Sequence, residues 1–211
     1  MKMVKKITAN ELSKAFNTDF SEFMLKKISE TDLSYFELST EERDSLMLTV
    51  VETLLDPSVK KSGAHRINDW IRGWGENRDE FRIFGNYDSL IPKYFGKLPY
   101  VRWKQDFIKA ADPSLEYNMA RVLQYWIFEK HFTDVDSVYE FGCGTGHNLL
   151  RVNEVNSACS IYGLDWASSS QDTIKQINKI YGKDFTGHKF DFFNPDYDFK
   201  LDNNSGVYTF C

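Results

Sequence analysis

The chain has 211 residues, 42% of them hydrophobic and 27% charged, with a net charge of -5. That balance is typical of a folded globular protein and excludes wholesale disorder. It carries neither the 18 or so consecutive apolar residues of a membrane helix nor the basic excess of a nucleic-acid binder.

The opening "MKMVKKITANELSKAF" is basic but lacks the apolar core of a secretory signal. Cys143, Cys159 and Cys211 make an odd number without paired metal spacing. They fit reduced thiols in a cytoplasmic protein without a membrane partner or a metal site.

The first hundred residues read as mostly helical. "TANE" (Thr8 to Glu11) is a capping-box pattern ahead of Leu12 and Phe16. "STEE" (Ser39 to Glu42) is a second, opening a helix with Leu46, Met47, Val50, Val51, Leu54 and Leu55 at helical spacing. Asp56-Pro57 stops that helix. A third helical stretch is predicted around Ile67, Trp70, Ile71 and Trp74, broken by Gly73 and Gly75.

"FGNYDSLIPKYFGKLPYVRW" (Phe84 to Trp103) mixes prolines and glycines with aromatics and reads as an irregular connector. Asp112-Pro113 resembles an N-cap followed by proline at the first helical position. The helix it opens should end near His131.

From there strands and helices alternate. "SVYEF" (Ser137 to Phe141) is a short apolar strand, followed by glycines and a helix with Leu149, Leu150 and Val152 inward. "CSIYGLD" (Cys159 to Asp165) is a second strand and "SSSQDTIKQINKIY" (Ser168 to Tyr181) a second helix. "HKFDFF" (His188 to Phe193) and "GVYTFC" (Gly206 to Cys211) are the third and fourth strands. The expected fold is α/β, with a Rossmann-like parallel sheet of about four strands after a mainly helical N-terminal region. The predicted division is 1–111 for the helical cap and substrate region and 112–211 for the sheet domain.

Gly142, Gly144 and Gly146 stand between the first strand and its helix. A loop there lies at the carboxyl edge of the sheet, where ligands bind. Without Cβ atoms the backbone can turn sharply and approach a ligand, and the following helix offers N–H groups to an anion. Asp165, nineteen residues beyond Gly146, ends the second strand, where an acid can accept ribose hydroxyls. A nicotinamide fingerprint would be G-x-G-x-x-G. Here the third glycine comes one residue early, His147 takes its place, and Glu140 leads the pattern.

The order E-x-G-x-G-x-G in "EFGCGTG", the acid in "YGLDWA" and a third acidic motif in "FDFFNPD" resemble the class I S-adenosylmethionine-dependent methyltransferases over roughly Asp112 to Cys211. The resemblance implies S-adenosylmethionine as cofactor and methyl transfer as activity. It places the Gly142–Gly146 backbone beside the methionine and ribose of the cofactor, with Glu140 supporting the loop or the cofactor ammonium. Asp165 would take the ribose hydroxyls and Trp166 would lie against the adenine. Asp191 would face the adenine amino group, and Phe192 would offer its N–H to the ring. The family's sheet has seven strands and only four can be counted here. The resemblance therefore implies either a chain truncated after the fourth strand or a sheet completed by another chain. The bare strand "GVYTFC" would then favour self-association.

No catalytic base can be named. Nine aromatics lie between Trp70 and Trp103, with Arg66, Arg72, Arg78, Arg82 and Arg102 nearby. They could hold a sugar or an aromatic acceptor, or pack as core. Tyr100 and Arg102 are the candidate substrate residues. Arg121 could meet the cofactor carboxylate or be solvated, and His147 could meet the ligand or only pack. The expected acceptor is a small molecule, an oxygen of a sugar or similar metabolite. The alternatives are a non-catalytic cofactor-binding or assembly module and, further off, an NAD-dependent oxidoreductase.

Overall fold

The computed structural model describes residues 2–59, 61 and 63–210. They form two compact units, Met1–Ser62 with Tyr94–Gln124, and Gly63–Lys93 with Tyr125–Cys211.

The first unit begins with β1 (Lys5–Lys6), α1 (Ala9–Phe16), α2 (Glu22–Ser29), β2 (Ser34–Glu37) and α3 (Thr40–Leu55). Both predicted capping boxes form. The Thr8 and Ser39 hydroxyls accept from the Glu11 and Glu42 N–H groups, and each glutamate accepts from its cap residue's N–H in return. β3 (Tyr100–Trp103) and β4 (Asp106–Ala110) complete an antiparallel sheet in the order β1-β2-β4-β3. Its core is built from Ile7, Leu12, Met24, Ile28, Leu33, Tyr35 and Ile108. This sheet corrects the expectation of helices and an irregular connector alone. Its strands are two to five residues long and rich in lysine and acid, so no alternating pattern announces them. The β3–β4 turn is made by Lys104 and Gln105, both at positive φ (48° and 66°), without the Asn-Gly pair that marks such hairpins in sequence.

The second unit holds α4 (Ile67–Phe84) and, after α5 (Leu115–Phe132) enters it, a parallel sheet. β5 (Ser137–Phe141), α6 (His147–Val155), β6 (Ser160–Asp165), α7 (Ser168–Tyr181), β7 (Thr186–Lys189) and β8 (Ser205–Tyr208) follow. The sheet order is β7-β6-β5-β8, all pairs parallel. In strand sequence that is 3-2-1-4, with the order reversing beside β5. β5 is buried at four of its five residues, as expected for a strand covered on both faces. Tyr139 and Tyr162 are register partners, and their rings stack at 4.4 Å. The core joins Phe81, Leu90, Phe128, Phe132, Val138, Leu149, Ile161, Ile174 and Tyr208. A Cβ on Gly163 would sit 2.6 Å from Ile174 Cδ1 and 2.9 Å from Leu149 Cδ1, so that glycine lets α6 and α7 close on β6.

Four predicted boundaries move. α4 runs unbroken through Gly73 and Gly75 to Phe84. Each glycine costs a helix only about 1 kcal/mol, and burial of Phe81 against Tyr181 of α7 (ring centroids 5.7 Å) offsets it. α5 starts at Leu115, because Asp112 accepts the Ser114 N–H at 2.9 Å and holds a turn there. β7 ends at Lys189 rather than Phe193, because Asp191 Oδ1 accepts the Phe193 N–H at 2.9 Å and bends the chain. β8 is Ser205–Tyr208, and Cys211 of the predicted fourth strand lies outside the described residues.

Candidate functional site

The carboxyl ends of β5 and β6 carry the chemistry. Gly142, Gly144 and Gly146 all take positive φ (77°, 52° and 71°), a conformation that only glycine adopts at little cost. Together they turn the chain from β5 into α6. Two anchors hold the loop from below: the N–H groups of Gly142 and Cys143 donate to Leu164 O at 2.7 and 3.0 Å. A third lies to one side, where Thr145 Oγ1 donates to Leu90 O at 2.6 Å. Since that hydroxyl has one proton, it accepts from His147 Nδ1 at 2.9 Å, which fixes the imidazole as the Nδ1–H tautomer. His147 is 5% exposed, and burial, with the Arg151 charge adding to it, holds it neutral well below its usual range.

Asp165 is predicted from sequence as a ribose acceptor, and the structure gives it neighbours the sequence did not reveal. Its Oδ2 accepts the Gly144 N–H at 2.8 Å and its Oδ1 the Ala167 N–H at 2.8 Å. The carboxylate therefore ties the glycine loop to the β6–α7 turn. Burial raises its pKa, with the Ala167 and Gly144 N–H groups pulling the other way.

Glu140 is 1% exposed on β5. Its Oε1 accepts from Asn148 Nδ2 at 2.7 Å, and Asn148 Oδ1 in turn accepts from Arg151 Nη1 at 3.0 Å. Arg151 is buried on α6, its guanidinium over the Tyr87 and Tyr125 rings at 5.8 and 5.9 Å. The β5–β8 register sets Tyr208 beside Glu140. The tyrosine hydroxyl lies close enough to the carboxyl for hydrogen bonding to lower its titration, yet neither that hydroxyl nor Glu140 Oε2 has a well-directed partner. Burial dominates, and despite Asn148, Tyr208 and Arg151 the Glu140 carboxyl is pushed up to about 8. A buried carboxyl with an unused oxygen at the root of a glycine loop is able to receive a cationic donor.

The aromatic side of the same edge is built from chain turns. Trp166 follows Asp165 and stacks on Phe193 at 5.5 Å. Phe141, Phe190 and Phe192 contact one another at 5.0 to 5.8 Å. Phe192 and Phe193 remain more than half exposed. Asp191 is half-buried beside them, its Oδ1 occupied by the Phe193 N–H. Above the glycines lies α4: a Cβ on Gly144 would come within 3.0 Å of Trp74 Cζ2. α4 is held there by Ser169 Oγ donating to Ile71 O at 3.1 Å, and within the helix Trp70 stacks on Trp74 at 5.4 Å.

Glu140, the three glycines, Asp165 and Trp166 thus meet at one edge, with Asp191 and Phe192 on the turn after β7. Tyr100 and Arg102 belong to the other unit, on β3, as does Arg121, which donates to Thr31 Oγ1 at 2.6 Å. Cys143 is buried, its thiol pKa raised by burial first and then by the nearby acids, which leaves it a packing residue rather than a nucleophile. Sequence reading missed Asn148, Arg151, Trp74 and Thr145. The available signal was Asn148 and Arg151 three apart on a helix, on the side facing Glu140. Among the described residues no group of three His, Cys, Asp or Glu could hold a metal, and no helix is long and apolar enough to cross a membrane.

No protein-family model matches the chain, and none of the curated proteins does. Among solved structures it is similar to the plantazolicin methyltransferase BpumL in complex with SAH, at 15% identity over 65% of this chain and 46% of that one, TM-score 0.27. It is also similar to the S-adenosylmethionine-dependent methyltransferase SibL in its apo form, at 16% identity over 91% of this chain and 58% of that one, TM-score 0.28. The chain spans about half the length of these two proteins. At TM-scores this low they add nothing to what the chain's own residues show.

Proposed function

We propose that the second unit binds S-adenosylmethionine in a Rossmann-like half-sheet and belongs to an enzyme that transfers its methyl group to a small-molecule acceptor. One observation carries this reading: a glycine loop with three positive-φ residues at the reversal of a 3-2-1-4 parallel sheet, flanked by two buried acids, Glu140 and Asp165. The donor set fits the cofactor. Glu140 Oε2, buried and without a well-directed hydrogen-bond partner, would receive the ammonium of the methionine part, whose charge would draw the proton off the acid. Asp165 would share its oxygens between the loop N–H groups and the ribose hydroxyls. Trp166 would lie against the adenine, with Asp191 and the Phe192 N–H at its edge.

When bound, S-adenosylmethionine supplies an electrophilic methyl group on a sulfonium. The chain's own residues orient it: the Thr145 and Asp165 hydrogen bonds hold the glycine loop in one shape, and Trp74 limits the space above Gly144. The acceptor we carry forward is an oxygen of a sugar or similar metabolite, supported by the aromatic and arginine content between residues 66 and 103, with Tyr100 and Arg102 as contact residues. The test is calorimetric titration with S-adenosylhomocysteine, followed by methyl-transfer assays on hydroxylated acceptors. Binding of S-adenosylhomocysteine without any transfer would leave a cofactor-binding module. Binding of NAD alone would overturn the reading.

A further inference from the structure

Glu140 stands on β5 at the root of the glycine loop, 1% exposed, and its surroundings suit a neutral acid better than a carboxylate. Among the described residues no cation forms an ion pair with it. Its Oε1 is met by a neutral amide, Asn148 Nδ2 at 2.7 Å, and its Oε2 has no well-directed partner. The Arg151 guanidinium stops one residue short. Its Nη1 donates to Asn148 Oδ1 at 3.0 Å, and it lies over the Tyr87 and Tyr125 rings.

The other groups around the carboxyl supply no positive charge. From β8 comes Tyr208 and from the glycine loop Cys143, both held protonated by burial. From β6 comes Asp165, a like charge that raises Glu140 further. On α6, His147 is neutral, and Glu154 takes the Tyr125 hydroxyl at 2.9 Å. An ionised carboxylate taken out of water without a counter-charge is costly, and keeping the proton costs less. The chain by itself thus holds a neutral acid at neutral pH, in line with the rise of its titration to about 8.

We infer that Glu140 is a proton-coupled receptor for the ammonium of the ligand: taking up the cation expels one proton to solvent, so that affinity for S-adenosylmethionine and S-adenosylhomocysteine rises with pH. This holds only where Glu140 is the ammonium's partner, as proposed above. The O–H bond of the acid breaks, its proton leaves for solvent, and the carboxylate stays paired with the ammonium. The ionised form has its support in place. Asn148 keeps its hydrogen bond, Arg151 stands behind it, and the Tyr208 hydroxyl is close enough to donate. Because the unliganded acid is protonated below about 8, Kd falls about tenfold per pH unit between about pH 6 and about pH 7.5 and levels off above.

Isothermal calorimetry on the full chain, in two buffers of different ionisation enthalpy at each pH from about 6 to about 8.5, counts the proton. S-adenosylhomocysteine is expected to bind with release of about one proton at about pH 6.5. Methylthioadenosine, which keeps the nucleoside and lacks the ammonium, is expected to release none. Glu140→Gln is expected to release none with S-adenosylhomocysteine and to bind it with a flat pH profile. The comparison of the two ligands on the unaltered chain decides even where the variant binds too weakly to measure. S-adenosylhomocysteine binding with a flat Kd and no proton release overturns the inference and leaves the ligand reading standing. Equal release by methylthioadenosine overturns it, and so does equal release by Glu140→Gln, which would point to Asp165. No binding of S-adenosylhomocysteine at any pH overturns the ligand reading and the inference with it.

Discussion

Glu140 gives the most quantitative handle on the site. Its carboxyl ionises near 4.5 when exposed, and in the folded chain burial pushes it up to about 8. Between those values the unfolded chain has released a proton that the folded chain keeps. The unfolding free energy therefore falls by about 1.36 kcal/mol per pH unit in that window. The contribution is fully present below about pH 4.5 and is lost as pH rises through about 8, an effect of about 5 kcal/mol. Glu140→Gln copies the protonated acid: its oxygen can accept from Asn148 and its NH₂ replaces the O–H. The variant is expected to match the wild type at about pH 5 and to exceed it by several kcal/mol at about pH 8.5. Urea unfolding followed by tryptophan fluorescence at intervals across that range measures the difference. Taking the difference removes other titrations, including that of His147, whose depressed pKa acts with the opposite sign and costs stability as pH falls. Parallel pH profiles for the two proteins would show that the Glu140 carboxyl is not held protonated, and the reasoning would fail.

Other consequences follow from the same contacts. Asp165→Asn turns an NH₂ toward one of two backbone N–H donors, and the lost acceptor is expected to cost about 1–3 kcal/mol in urea unfolding. Asp165→Ala is expected to weaken S-adenosylhomocysteine about 100-fold or more by calorimetry, since charged hydrogen bonds are worth about 1.5–3 kcal/mol each; unchanged affinity would remove Asp165 from the ligand site. Gly144→Ala forces a Cβ into the left-handed region and to 3.0 Å from Trp74 Cζ2, and is expected to lower stability by about 1–2 kcal/mol or more. A thermal melt indistinguishable from wild type would contradict that contact.

Much of the second unit can be read from its residues. β5 and α7 fall where apolar runs and helical spacing put them, because a parallel strand buried on both faces and an amphipathic helix leave strong periodic signals. The glycines after β5 and the acid that ends β6 mark the edge that gathers the site. What stayed hidden depends on tertiary packing. The antiparallel sheet of the first unit is made of short strands whose lysines and acids face solvent, and its hairpin turn uses Lys104 and Gln105 instead of a glycine pair. Asp191 reads as part of the third strand, and its hydrogen bond to the Phe193 N–H turns the chain there instead. Arg151 carries no mark in the sequence, and only the fold sets Tyr87 and Tyr125 over it. Trp74 reads as one aromatic among nine, and only the path of α4 brings it to Gly144.

The central claim is that the glycine loop between Glu140 and Asp165 holds S-adenosylmethionine. Calorimetric titration of the purified chain with S-adenosylhomocysteine, with NAD as the control, tests it most directly. The expected result is one site with Kd of roughly 1–100 μM for S-adenosylhomocysteine and no heat from NAD. Saturable binding of NAD, or a folded chain that takes up neither ligand, would contradict it.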